Sequence, residues 1–235
     1  MATLVTRTLP TRRERIIATM LLALAVPCSA QLGVILALLG EHPEAMVLWV
    51  GVIILVFLFI GFLTARLLPG ERPSFYIEIP PLRIPNLKNI VVKTYARVKW
   101  YFWEILPLFI IASGLIWLGK LTRIFDFLIF LLSKPVNIIG LPEEAARIFI
   151  FGFFRRDYGA AGLYDLHKGG LLTGNQLLVA CIALTLFLPC IAQFLINLKE
   201  RGWRTGISIS LFTLLVSFGI AFLVNLGLNI IGIKL

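Results

Sequence analysis

Five runs of apolar residues, each near or beyond the length of a membrane crossing, leave this chain few folds to choose from. They occupy residues 16–39, 46–65, 105–119, 176–198 and 207–231. A helix needs about 20 predominantly apolar residues to cross a hydrocarbon core, whereas buried strands run to only about eight. Charge agrees: 14% of the 235 residues are charged, where a soluble domain carries about a quarter. The sequence therefore predicts an all-α, polytopic membrane protein of about five to six membrane segments.

The net charge of +10 sits between the apolar runs, in residues 7–15, 66–99 and 199–204. Basic loops flanking apolar spans mark the cytoplasmic side, next to anionic lipid. That placement argues for the bilayer and against nucleic acid as the partner. The acidic loop Glu41-His42-Pro43-Glu44 carries no Lys or Arg and is expected outside. The first run is too long for the apolar core of a cleavable signal peptide. Cys28, Cys181 and Cys190 all fall inside apolar runs, with neither disulfide-framework nor zinc spacing.

Three parts follow. Residues 1–65 hold a first gate segment of two spans. Residues 66–104 form a basic insert, whose closely spaced prolines between 69 and 85 forbid a regular helix; residues 89–103 are then expected as an amphipathic interfacial helix that turns into the third span. Residues 105–235 form a C-terminal membrane domain with a second gate segment. Within it, Pro142-Glu143-Glu144 is a helix start, with proline in the first turn and acids at the positive end of the dipole. The glycine- and charge-rich stretch 151–162 reads equally as a helix broken at depth or as one ending at the interface.

The most informative local feature is a repeat. Pro27-Cys28-Ser29-Ala30-Gln31 and Pro189-Cys190-Ile191-Ala192-Gln193 share Pro-Cys-x-Ala-Gln, each inside an otherwise unbroken apolar run. Proline removes a backbone donor and frees carbonyls of the preceding turn. Matching breaks in the two halves of a membrane protein point to a substrate site near the bilayer midplane. Cysteine offers soft sulfur and glutamine an amide oxygen, a set suited to a borderline transition metal rather than to a hard alkali ion. Cys28 and Gln31, like Cys190 and Gln193, are three apart and so share one helix face. These four residues are the candidate metal ligands; Cys181, with no such motif, reads as core filler.

Other features carry less. Gly114 to Lys120 begins like a phosphate-binding loop, but Leu121 stands where Ser or Thr is needed. Arg155, Arg156 and Asp157 read either as a buried charge network beside the pathway or as a snorkelling cluster at the interface. His42 and His167 stand alone in loops. Nothing suggests a nucleophile–base pair, and no enzyme activity and no tightly bound cofactor are expected.

Several motifs, in order along the chain, resemble the membrane part of the ferrous iron transport protein B family. Thr6-Arg7-Thr8 with Arg12-Arg13-Glu14-Arg15 resembles the segment before its gate helix, and Cys28-Ser29-Ala30 its gate. The most specific is Glu78-Ile79-Pro80-Pro81-Leu82-Arg83-Ile84-Pro85, close to the family's Glu-Leu-Pro-Pro-Tyr-Arg-x-Pro. Phe154-Arg155-Arg156-Asp157-Tyr158-Gly159 and Pro189-Cys190 complete the set. The sequence departs from the family at Gln31, where arginine is usual, and at Gln193, where threonine is usual.

The resemblance implies multi-pass placement in the cytoplasmic membrane, Fe²⁺ as the transported ion, and gate cysteines on its path. It also implies a GTPase domain and earlier helices, expected on a partner subunit, with further copies of this chain as another possible partner. Two alternatives stay open: a gate of the same architecture for a nucleoside or another divalent metal, and a non-transporting membrane scaffold for a GTPase.

Overall fold

A computed structural model of the chain describes residues 6–40, 42–67, 86–122, 124–187 and 190–231. The proline-rich stretch 69–85, Glu41, and Pro189 of the second repeat lie outside the described residues. The described residues contain no strand; they form one short 3-10 helix, Thr6–Thr8, and ten α-helices. In order they are α1 (Arg12–Leu24), α2 (Ser29–Leu39), α3 (Pro43–Leu67), α4 (Leu87–Leu121), α5 (Ile124–Ile138), α6 (Glu144–Phe154), α7 (Arg156–Lys168), α8 (Gly174–Leu186), α9 (Ile191–Arg201) and α10 (Trp203–Ile231). Among the described residues, three segments are long and apolar enough to cross a membrane: α3, the run Gly174–Arg201 that holds α8 and α9, and Trp203–Ile230 within α10.

The first apolar run is two half-helices, α1 and α2, separated at Pro27-Cys28; the fourth is likewise split into α8 and α9. The repeat reaches further than the Pro-Cys motif. Thr11 and Thr173 each stand seventeen positions before their cysteine, and each closes a capping box, Thr11 with Glu14 and Thr173 with Gln176. Such a box satisfies two of the donors that a helix start otherwise leaves bare. A 13-residue first half and an 11-residue second half follow in both cases. A long helix then follows each pair, α3 in one repeat and α10 in the other.

The two repeats run antiparallel. Arg201, the last residue of α9, donates from Nε to Thr19 of α1 at 2.9 Å and also bonds Thr6, which precedes α1. At the other end of α1, Gln31 in the first turn of α2 donates to the carbonyl of Leu184 in the last turn of α8 at 2.8 Å. The breaks therefore lie at one level, with the outer ends reversed, as in inverted-repeat transporters.

The core is built on α8, whose residues 177–186 are all buried. Its last carbonyls have no partner within the helix, and side chains from other elements supply them. Gln31 bonds that of Leu184, and the Ser217 hydroxyl of α10 bonds that of Ala183 at 2.9 Å. Trp49 Nε1 of α3 donates to Thr185 Oγ1 at 3.1 Å. Phe149, Phe187 and Phe218 form a ring triangle with centroids 5.1–6.0 Å apart, which packs α6 and α10 beside the second break.

One expectation changes, and one reading left open is decided. Residues 89–103 do not turn into the third span: α4 is one 35-residue helix, about 52 Å long at 1.5 Å per residue. Pro107 lies inside it, as membrane helices tolerate. The stretch 151–162 is a helical hairpin, in which Arg155 (φ −146°, ψ 121°) is the single non-helical residue between α6 and α7. Glycine makes that hairpin tight: a Cβ on Gly159 would come within 2.7 Å of the Gly152 Cα.

Candidate functional site

The hairpin tip meets both breaks. Arg156, the first residue of α7, is buried, and its Nη2 donates to the carbonyl of Ala23, in the last turn of α1, at 3.0 Å. Its Nη1 reaches Gln31 Oε1 at 3.5 Å. Gln31 Nε2 continues to the Leu184 carbonyl. One relay thus ties the C-terminal end of α1 to that of α8, through a guanidinium and an amide. A buried charge is costly unless its donors are filled, and this one is filled only in part: Nε is buried with no partner.

Each cysteine stands at the start of a second half-helix. Cys28 is the N-cap of α2, its Sγ accepting from the Gln31 backbone N–H at 3.4 Å. Cys190 is the N-cap of α9 with near-identical extended backbone, ψ 161° in both. Cys28 is exposed and Cys190 half-buried. Both cap the half-helices that begin at the two breaks. The ends of α2 and α9 at the breaks carry the positive pole of the helix dipole, those of α1 and α8 the negative. An amide oxygen and a half-helix carbonyl thus meet at one guanidinium, with the capping cysteines at the two breaks.

The two glutamines differ. Gln31 is fully buried and both ends of its amide are engaged. Gln193 is half-buried and donates to Asn197 Oδ1 at 3.2 Å within α9. Cys181 lies fully buried in α8, away from the capping positions. Among the described residues no group of three or more Cys, His, Asp or Glu side chains converges as a metal cage. Any cation here would use sulfur and carbonyl oxygen instead. A polar cavity of about 430 Å³ lies where α1 begins and α9 ends, lined by Pro10, Arg12, Arg15, Ile16, Glu200 and Arg201. Three arginines make it unsuited to a cation.

Sequence reasoning raised Arg156 as one of two readings of its cluster but did not join it to Gln31. The carbonyls of Ala23 and Leu184 leave no mark in side-chain type. The signal that was available is an ionisable residue in an apolar stretch, next to glycines.

The apolar helices, paired interrupted segments and a shared charged junction define a multi-pass membrane protein of the broken-helix, inverted-repeat class. Two family models match the chain. Residues 46–97 match "Ferrous iron transport protein B C terminus" and residues 102–204 match "Nucleoside recognition". The Fe(2+) transporter FeoB of Methanocaldococcus jannaschii is 24% identical over 272 aligned positions, covering 98% of this chain. A fusion of Fe(2+) transport protein A with Fe(2+) transporter FeoB from Porphyromonas gingivalis is 28% identical over 152, covering 60%. The chain spans 39% and 17% of the lengths of those two relatives. No solved structure matches it significantly. The chain is thus similar to the C-terminal membrane part of ferrous iron transport protein B.

Proposed function

We propose that this chain forms the gate part of a ferrous iron transporter in the cytoplasmic membrane, passing Fe²⁺ between Cys28 and Cys190. The observation that carries this reading is that cysteine caps both second half-helices, at breaks joined through one buried guanidinium and Gln31. Two thiols with carbonyl oxygens suit a borderline divalent metal, and so small a ligand set releases its ion readily. Gln31 and Gln193 are the candidate oxygen donors. Gln31 becomes available when Arg156 leaves its oxygen, and Gln193 when its side chain turns toward the break. A GTPase-bearing segment of the same transport system supplies the control, with the basic residues between 66 and 99 on its side of the bilayer.

Radioactive Fe²⁺ uptake tests the reading, in cells lacking their own ferrous transport and expressing the chain with its GTPase-bearing partner. Cys28→Ser and Cys190→Ser are each expected to cut uptake at least tenfold. A double variant present in the membrane at the wild-type level, with uptake intact, overturns it. A nucleoside cargo is the second reading, favoured by the family model matched over residues 102–204. Competition by unlabelled nucleosides in the same assay would point to it.

A further inference from the structure

We propose that Arg156 is a latch that stands in for the cation: its guanidinium holds the acceptors that a permeating ion needs, and the path is competent only when it leaves them. The proposal rests on the cargo reading above and deepens it. Four observations carry it. Arg156 occupies two oxygens that a cation would use, the Ala23 carbonyl at the negative end of α1 and the Gln31 amide oxygen. Gln31 in turn occupies the Leu184 carbonyl, the corresponding oxygen of the other repeat. Cys28 and Cys190, the two sulfurs offered to the ion, cap the half-helices that begin at the same two breaks. Lastly, Nε is buried without a partner, so the guanidinium is held by two hydrogen bonds and one of them is long.

A positive side chain and a divalent cation repel strongly in a site of low dielectric, so they do not share these ligands. Closed, the arginine satisfies carbonyls that the Pro-Cys breaks would otherwise leave bare. Open, a cation takes over that role, and the same oxygens serve both states. The long side chain can leave by rotating about its own bonds, without unwinding α7. The hairpin that carries it is braced by the Gly152–Gly159 approach, which fixes where the charge returns.

The test reads cation binding at the sulfurs and needs no transport. Full-length chain in lipid vesicles is treated with a thiol-alkylating reagent under oxygen-free, reducing conditions, and Fe²⁺ is titrated as a protectant of Cys28 and Cys190. Arg156→Gln is expected to lower the half-protecting Fe²⁺ concentration at least tenfold. Arg156→Lys, which keeps the charge, is expected to stay within about threefold of wild type. Equal half-protection in wild type and Arg156→Gln overturns the latch and leaves the cargo reading standing. Protection in neither overturns both. Should Arg156→Gln fail to fold, the wild-type chain alone decides. A fixed cation beside the sulfurs makes an anionic thiosulfonate react faster at Cys190 than a cationic one of equal size, and an equal or reversed ratio overturns the proposal.

Discussion

Arg156 Nη2 donates to the carbonyl oxygen of Ala23 at 3.0 Å, across 133 residues of chain. The bond joins the tip of one helical hairpin to the end of a half-helix whose last carbonyls have no partner in their own helix. With Gln31 as the second link, side chains from two distant segments join the ends of α1 and α8.

Removing the middle of that relay should cost stability as well as position. Gln31→Leu keeps the volume but strips the Leu184 carbonyl and the Arg156 guanidinium of their shared partner. Buried hydrogen bonds to charged groups contribute about 1.5–3 kcal/mol, so the thermal midpoint in mild detergent should fall by several degrees. Gln31→Glu should fall less, because an anion there gains from the arginine. Unchanged unfolding of Gln31→Leu would show the relay to be energetically idle.

How far the sequence revealed this arrangement depends on the range of each signal. The breaks at Cys28 and Cys190 were readable because proline acts on its own turn. The apolar runs were readable because length alone separates spans from strands. The capping boxes Thr11-x-x-Glu14 and Thr173-x-x-Gln176 are equally local, yet they show as parts of the repeat only once α1 and α8 are seen to match. The pairing of Arg156 with Gln31 spans 125 residues and has no periodic trace. Helix α4 runs on past residue 103, where an interfacial helix was expected to turn, because Leu, Lys and Arg sit well in a helix and Pro107 is accommodated within it.

Close packing in the hairpin makes a second prediction. At Gly159 an added methyl meets the Gly152 Cα at 2.7 Å and the Ile148 carbonyl oxygen at 3.1 Å, both backbone atoms that cannot turn aside. Gly159→Ala should therefore destabilise by about 1–3 kcal/mol. Gly33 in α2 has nothing within 4 Å of the same position, and Gly33→Ala should be neutral or stabilise by up to about 1 kcal/mol. Paired thermal melts check the contrast, and equal effects would mean that the Gly152–Gly159 approach does not constrain how α6 and α7 pack.

A third prediction concerns how α3 is held to the core. Thr185 Oγ1 accepts from Trp49 Nε1 at 3.1 Å and donates to the Cys181 carbonyl at 2.6 Å. Thr185→Val has nearly the same shape but leaves a buried indole N–H unpaired, at a cost of about 1–3 kcal/mol. Trp49→Phe in the same background should recover part of the loss, since it removes the orphaned donor. Failure of the double variant to recover anything would mean that the ring's packing, and not its N–H, matters.

Thiol reactivity separates the three cysteines without reference to transport. Cys28 is exposed, Cys190 half-buried and Cys181 wholly buried in the middle of α8. Alkylation needs the sulfur to meet both water and reagent, so access orders the rates. In the folded chain a small maleimide should label Cys28 first and Cys190 more slowly, and should reach Cys181 only after unfolding. Mass spectrometry of the digested protein at timed intervals gives all three rates in one sample. The order between Cys28 and Cys190 also reports on the two breaks, because both cap half-helices there and differ in cover. If Cys181 reacted as fast as Cys28 in protein that still melts cooperatively, α8 could not be the central helix around which the other segments pack.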